Sequence, residues 1–437
     1  MKILLIDNTS SFLDFALRCQ SHEVRVWMGT DKRGDRSKVG DGMITKIPDW
    51  RQSMKWADII ILSDNVKYMA EIETYRKAGF PIFNGHREVS EWELNRGTGQ
   101  RIFEKCGIPI IPAEIFSNYD KAIAFVEKNM KRYVSKPSGD ADKALTYVSK
   151  GPKDMISMLE RWKKLSKLKA PFLMQEFIHG GIEMAVSGYF GPSGFNKHFL
   201  ENFEFKKLMN DDFGQATGES GTCLKYVTES KLADMVLKPL APELFRQGYN
   251  GFIDVSVMID SKGTPWPLEH TCARFGWPLF QIQQELHPEP VEWMLDCIDG
   301  FDSFKPSTKT ATGVVVAMPD YPYTTFTKKE VSGFPIWNLT DKNRSHVHLA
   351  EVMIGEGVDE ENGKIVRKKM PVTAGDYVYI ASGVADTIKK SAENAYKIID
   401  EIELSNSPIV RTDIGKRLEK QLPELQKHGF ATSWRYE

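Results

Sequence analysis

Apolar residues come in short runs along the chain, and the first of these alternate with stretches of helical spacing. Met1–Asp7 (MKILLID) is an apolar strand that breaks at Asn8, Thr9, Ser10 and Ser11. FLDFALRC, next along, has the spacing of a helix face. HEVRVWMG, Trp56–Ser63 and Phe80–Phe83 read as three further strands with helical stretches between them. Strands alternating with helices predict a doubly wound parallel sheet, α/β in class. Ligands of such sheets bind beyond the carboxyl ends of the strands, which points to Asp7, Asn8, Thr9 and Ser10 and to Ser63, Asp64 and Asn65.

From about residue 101 the texture changes. A helix (RIFEKCG) leads to strand-like YVSKP, LTYVSK and FLMQEFI, then to EMAVSGYFG and HFLENFEF. Asn210–Thr222 is a polar, Gly-rich stretch that reads as a loop. LADMVLKPLAPELFRQG predicts one helix, followed by strands FIDVSVMID and TPWPLEHT joined by the tight turn Ser261-Lys262-Gly263. Beyond Pro306-Ser307-Thr308 come strands GVVVAM, HVHLAEVMI and DYVYIASG, and a long helical pattern from Asp386 to Ile402. The expected organisation is an N-terminal α/β domain over 1–100, a central domain over 101–306 and a smaller C-terminal α+β domain over 307–437. No repeat or low-complexity tract interrupts it.

Composition narrows the partners. The 437 residues are 41% hydrophobic and 27% charged, an ordinary globular balance. Lys+Arg of 58 against Asp+Glu of 59 leaves a net charge of −1. No whole-chain field therefore favours nucleic acid or an acidic membrane as the main partner. Cys19, Cys106, Cys223, Cys272 and Cys297 are scattered and odd in number, which favours a reduced, cytoplasmic setting. MKILLID passes straight into polar residues without the pattern of a secretory signal. No apolar run approaches the roughly 18 residues a membrane span needs. The expectation is a soluble intracellular protein.

The strands on either side of Lys262 carry the sharpest chemistry. Across an antiparallel hairpin, residues on one face lie about 5 Å apart, so Asp254 and Glu269 can point at one site. Magnesium prefers oxygen ligands and completes its shell with water and phosphate. Thr271 falls on the same face and could add a hydroxyl. Arg274 is placed to meet a phosphate or carboxylate bidentately. Such a set suits phosphoryl transfer; the rival reading is a pair of carboxylates on a solvated hairpin face. Lys136 ends strand YVSK ahead of a polar loop with a second lysine, Lys143, and backbone N–H groups with two cations can cover a triphosphate. Gln175, Glu176, Phe177 and Ile178 form an extended hinge that can offer backbone groups to an adenine edge, and Glu183 beyond it can take ribose hydroxyls. Each is equally a solvated loop lysine or a buried strand.

Taken in order, these segments resemble the ATP-grasp superfamily, and within it the glycinamide ribonucleotide synthetases (phosphoribosylamine–glycine ligases). The likeness is nearly end to end. It runs through MKILLIDN, PIFNG, EKCGIPIIPAE, YNGFIDVSVMIDSKGTPWPLEHTCARFGWP, TGVVVAMPDYP, DYVYIASGVADTIKKSAENAYKIID and RTDIGKRLE. The resemblance implies an ATP-dependent ligase that forms a C–N bond by way of an acyl phosphate. Lys136 and Lys143 would contact the phosphates or adenine of ATP. Gln175, Glu176, Phe177 and Ile178 would line the adenine and Glu183 would take the ribose. Glu269 and Thr271, with Asp254, would bind magnesium, or manganese in its place. Arg274 would lie at the acyl-phosphate end, sharing charge neutralisation with Lys143. Asn8, Thr9 and Ser10, and Gly214, Thr217 and Gly218, would meet the substrates.

The chain departs from that family at its ends. The opening phosphate loop is Asp7-Asn8-Thr9-Ser10-Ser11, and the family's Thr-Gly-Pro-Asn-Thr-Gly-Gly loop is echoed only loosely by Phe213–Glu219. The metal asparagine has become Thr271, and an extra residue, Ala273, precedes Arg274. Asp254 compensates, an acid that many other members of the superfamily carry on this strand. The expectation is a monomeric or homodimeric enzyme of purine-biosynthetic type acting on a small carboxylate and an amine. Its acceptor would be phosphoribosylamine, or another amine such as a modified nucleotide or base. A nucleotide-binding relic without catalysis is the contrasting reading.

Overall fold

Ile3, Leu4 and Leu5 are wholly buried because β1 (Lys2–Asp7) runs through the middle of a parallel sheet covered on both faces. The computed structural model describes residues 1–29, 38–137, 146–165, 171–319, 321–322 and 331–437. After β1 come α1 (Leu13–Arg18), β2 (Glu23–Met28), β3 (Ile59–Leu62), α2 (Met69–Lys77) and β4 (Ile82–Phe83). The strand order is β2-β1-β3-β4 with every pair parallel, the expected doubly wound unit. Neighbours of β1 in sequence lie on opposite sides of it, so the loop from Asn8 opens at the switch point. Two helices, α3 (Arg87–Leu94) and α4 (Arg96–Lys105), lead out of this unit.

A small antiparallel sheet follows, built from β5 (Ala113–Phe116), α5 (Tyr119–Asn129), β6 (Tyr133–Pro137), β7 (Tyr147–Val148), α6 (Pro152–Lys164) and β8 (Phe172–Glu176). Its order is β5-β8-β6-β7. Val126, Tyr133, Met155, Leu159, Phe172 and Met174 form a separate core between this sheet and its helices.

The large sheet begins with β9 (Ile182–Gly191), β10 (Gly194–Phe195), β11 (Phe199–Lys207) and β12 (Ala216–Val227). Then come α7 (Ala241–Gln247), β13 (Gly251–Ile259), β14 (Pro265–Cys272), α8 (Leu279–Gln283), α9 (Glu292–Ile298) and β15 (Thr310–Ala317). The chain ends through β16 (Ile336–Trp337), α10 (Asp341–Arg344), β17 (Val347–Leu349), β18 (Val352–Glu361), β19 (Lys364–Thr373), β20 (Tyr377–Ala385), α11 (Ile388–Glu401), β21 (Glu403–Leu404), β22 (Ile409–Val410) and α12 (Leu418–Lys427). The main path of the sheet is β14-β13-β9-β11-β12-β15-β20-β17. Residue 306 falls between α9 and β15, and the sheet runs across that point.

Alternation along these strands sorts the side chains. Ile253, Val255, Val257, Met184, Val186, Phe203, Phe205 and Cys223 bury one face in the main core. Asp254, Ser187, Asn202 and Glu204 share the other face.

Three expectations change. The stretch read as a loop up to Thr222 is strand from Ala216 onwards, a case where pairing on both sides overrides Gly, Ser and Thr composition. The single helix expected from Leu232 is broken into tighter and wider turns before α7, because Pro239 and Pro242 lack the N–H that a continuous helix needs. HVHLAEVMI is two strands in different sheets, β17 and β18, and β18 pairs with β19, which the pattern did not reveal.

Candidate active site

The β13–β14 hairpin turns at Gly263 (φ 80°), where the Asp260 carboxylate accepts the N–H groups of Lys262 and Thr264, each at 2.9 Å. Its register sets Asp254 opposite Thr271 and Ser256 opposite Glu269, so these four side chains occupy one face. On its other side Asp254 pairs with Ser187 of β9. Asp254 is 3% exposed, and its Oδ1 and the Ser187 hydroxyl have no hydrogen-bond partner among the described residues. Burial, followed by the charge of Glu204, pushes the Asp254 carboxyl well above the usual range.

Beside it Lys206 gathers the remaining acids. Its Nζ lies 2.6 Å from Glu183, 2.9 Å from Glu204 and 3.6 Å from Glu269. Arg96 donates to the second oxygen of Glu269 at 2.8 Å. Burial opposes ionisation of Glu269, but Arg96 and Lys206 overcome it and hold its carboxyl well below the usual range. Lys136, at the end of β6, reaches across from the small sheet and donates to the Leu268 carbonyl at 3.3 Å. Burial, with Arg96 nearby, lowers its ammonium to about 8.

The structure therefore unites Lys136, Glu183, Asp254, Glu269 and Thr271. It adds Arg96, Glu204, Lys206 and Glu219, which sequence reasoning missed. The signal for Glu204 and Lys206 was present in FEFKK, where two-residue spacing on a strand puts them on one face with Asn202. Arg96 owes its place to the Asn95 cap, which accepts the Thr98 N–H at 3.1 Å and starts α4 there.

Arg274 is placed differently from the expectation of an open anion fork. Ala273 takes φ 58° at the end of β14, and Arg274 pairs with Glu93 of α3, Nε 3.0 Å from Oε1. Among the hinge residues, Gln175 is buried with its amide nitrogen unpartnered among the described residues. Glu176 pairs with Lys131 at 2.6 Å, the Arg132 guanidinium lies 3.5 Å from the Phe177 ring centre, and Ile178 is half-buried. Lys143 lies outside the described residues.

At the N-terminal switch point, Asp7 accepts from the N–H of Phe12 at 2.7 Å and from the Ser63 hydroxyl at 2.8 Å. Thr9 N–H also donates to Asp7, and Ser10 turns the loop at φ 58°. Asn8 is buried, and its Oδ1 has no partner among the described residues. The neighbouring loop after β3 connects to the hairpin through Asn65, which donates to Glu93 at 3.0 Å and to the Cys272 carbonyl at 2.8 Å. In the other expected substrate segment, Gly214 takes φ 79° and the Thr217 hydroxyl donates to the Lys206 carbonyl at 2.9 Å. Gly218 faces open space.

Among solved structures, the phosphoribosylamine–glycine ligase of Thermotoga maritima superposes with a TM-score of 0.70 at 20% identity, covering 94% of this chain and 100% of that one. The chain has the ATP-grasp fold. In sequence it is 24% identical over 360 residues to the phosphoribosylamine–glycine ligase of Ralstonia nicotianae, across 79% of this chain and 81% of that protein. It is 26% identical over 366 residues to a bifunctional purine biosynthetic protein of Pichia angusta, spanning 80% of this chain but only 44% of that longer one. No family model matches it. Within the ATP-grasp architecture, the cluster around Lys206 takes residues from both the small and the large sheet. Among the described residues no helix is long and apolar enough to cross a membrane.

Proposed function

We propose that the chain is an ATP-dependent ligase that joins a small carboxylic acid to an amine through an acyl phosphate. The observation that carries this reading is the convergence of Lys136, Glu183, Asp254 and Glu269 at one point between two sheets. A carboxylate and a lysine on the large sheet, facing a lysine from the small one, suit a nucleoside triphosphate better than a structural salt bridge does.

Asp254 and Glu269 fit a magnesium ion. Both are hard oxygen donors, and Asp254 holds a buried oxygen with no partner among the described residues. Among those residues no group of three or more His, Cys, Asp or Glu side chains is arranged to hold a metal. Two protein ligands with the rest from water and phosphate is the pattern magnesium takes. When bound, magnesium neutralises phosphate charge as it develops. Lys136 would hold a phosphate oxygen, and an ammonium lowered only to about 8 stays largely charged at neutral pH. Lys206 would keep Glu183 and Glu269 oriented. Arg274 would reach the acyl phosphate only by sharing Glu93. Asn8, Thr9, Ser10, Gly214, Thr217 and Gly218 would line the two substrate ends, and Gln175 to Ile178 the adenine.

The named reaction of the relatives, glycine with phosphoribosylamine, is the first to try. Purified protein with magnesium, ATP, glycine and phosphoribosylamine, followed by a panel of amino acids and amines, tests the reading by ADP release. ADP release that needs both an acid and an amine, and that Glu269→Gln abolishes, is the expected result. Silence across the panel with intact magnesium–ATP binding would sink it in favour of a nucleotide-binding relic.

A further inference from the structure

Between β11 and β12 the register slips: Phe205 faces Gly221, but Lys207 faces Ala216. Residues 217–220 thus stand opposite Lys206 alone, a bulge of the kind that re-aims side chains beside active sites. The bulge is pinned by Thr217, whose hydroxyl holds the Lys206 carbonyl and meets Ser220 at 3.2 Å. It turns Glu219 inward. Glu219 is 5% exposed, and its Oε1 has no hydrogen-bond partner among the described residues. The charged groups that face it are Glu204, Lys206, Asp254 and Glu183. Tyr321 and Tyr377 lie within electrostatic reach, their ring centres 5.9 Å apart. Tyr321 hydrogen-bonds Thr217, and the buried Tyr377 hydroxyl has no partner among the described residues.

This acid is not needed for the ion pairs already described. Lys206 is shared among Glu183, Glu204 and Glu269, and Glu269 also holds Arg96. Glu219 is left as a buried acid whose Oε1 meets no donor among the described residues, an arrangement that costs free energy until a donor arrives. A metal held by three acids is not arranged here. An anionic group would meet like charge. A cation would meet the Glu219 carboxyl group and two electron-rich rings, the chemistry that recognises ammonium groups.

We infer that Glu219, with the Tyr321–Tyr377 ring pair, is a subsite for a positively charged group of the acceptor, so that the amine this chain joins carries a second cation. The inference rests on the ligase reading and specifies its amine. The probes are 1,3-diaminopropane, propylamine and 3-aminopropanol, titrated calorimetrically into the full chain with magnesium and ADP. The diamine binds the wild type at least about tenfold more tightly than either other amine. Glu219→Gln brings that ratio close to one, and Glu219→Asp restores part of it. Thermal unfolding of each variant verifies that it is folded. Equal binding of diamine and propylamine, or a ratio that Glu219→Gln leaves unchanged, overturns the subsite. Equal binding of aminopropanol and diamine also overturns it, in favour of a hydroxyl. If the diamine ratio holds but ADP is released with no acid, the ligase reading falls and the subsite stands.

Discussion

Arg274 and Glu93 form a close ion pair, with the arginine Nε 3.0 Å and Nη2 2.5 Å from Oε1. Glu93 Oε2 also accepts the Asn65 amide and the backbone N–H of Cys272, at 3.0 and 3.2 Å. One carboxylate thus ties α3 to the end of β14 and to the loop after β3. Glu93→Ala leaves three donors short of an acceptor in a mostly buried place. The expected loss is about 2 kcal/mol of unfolding free energy, read from urea denaturation. Glu93→Gln keeps an acceptor for Asn65 and Cys272 and loses less. Wild-type stability in Glu93→Ala would show that the pair is incidental.

Asp254 should respond with opposite signs in two measurements. Without ligand its carboxyl is held up by burial and then by Glu204, so Asp254→Asn removes a crowded charge and raises stability by about 1 kcal/mol. With magnesium and ATP, the wild type gains a thermal shift that the variant lacks, and kcat/KM falls by about 100-fold. A metal-dependent shift that survives in Asp254→Asn would remove this residue from the magnesium site.

Lys206 holds Glu183 and Glu204 at 2.6 and 2.9 Å, and it borders Glu269. Lys206→Met keeps the stem and deletes the charge, which leaves the acids repelling one another. The ligand-free protein should lose about 2 kcal/mol. Magnesium alone should then stabilise the variant more than it stabilises the wild type, since a divalent ion can replace the missing ammonium. Differential scanning calorimetry with and without magnesium decides it. Equal magnesium shifts in the two proteins would mean the acids do not share one field.

The hairpin acids were only partly legible in the chain: the turn at Gly263 sets Ile259 opposite Pro265, a register that would face Asp254 with His270, and it is the bulge at Leu268 that brings Asp254 opposite Thr271 and onto one face with Glu269. β1 was legible from KILLID, an uninterrupted apolar run that only a sheet covered on both sides explains. For Lys206 the spacing showed a shared face with Glu204 but not its burial, and Glu219 was not legible at all. FEFKK looks like a solvated edge until β9 and β12 flank it, and the bulge that turns Glu219 inward depends on a register slip that pairing alone reveals. Arg274 was read as a bidentate partner for a phosphate or carboxylate of the substrates, but the carboxylate it meets, Glu93, lies 181 positions away on α3, and no local spacing announces that. β18 was hidden for a different reason. HVHLAEVMI carries neither Gly nor Pro, so no turn residue in the run marks where the chain leaves one sheet for another.

Far from the hairpin, His348 is wholly buried between Asp14 of α1, at 2.8 Å, and Glu285, at 3.2 Å. Glu285 also accepts from the Ser382 hydroxyl and meets His346 at 2.9 Å, so it binds β17 and β20 to the segment after α8. Burial alone would raise the Glu285 carboxyl, but hydrogen bonds from His346 and His348 overcome it and hold it down at about 2. A depressed carboxyl stabilises the fold fully above its unfolded value of about 4.3 and loses that contribution as pH falls toward about 2. His346 runs the other way. Its hydrogen bond to Glu285 raises it, so its contribution is complete below about pH 6.5 and fades as pH climbs through the raised value. Stability should therefore fall on both sides of a plateau at about pH 5 to 6.5. In urea titrations, Glu285→Gln should remove up to about 3 kcal/mol of the drop between pH 5 and 2 and flatten the alkaline side as well. Asp14, also held low against its burial by Arg18 and His348, keeps some acid sensitivity in the variant. An acid limb as steep in Glu285→Gln as in the wild type would place the titrating group elsewhere.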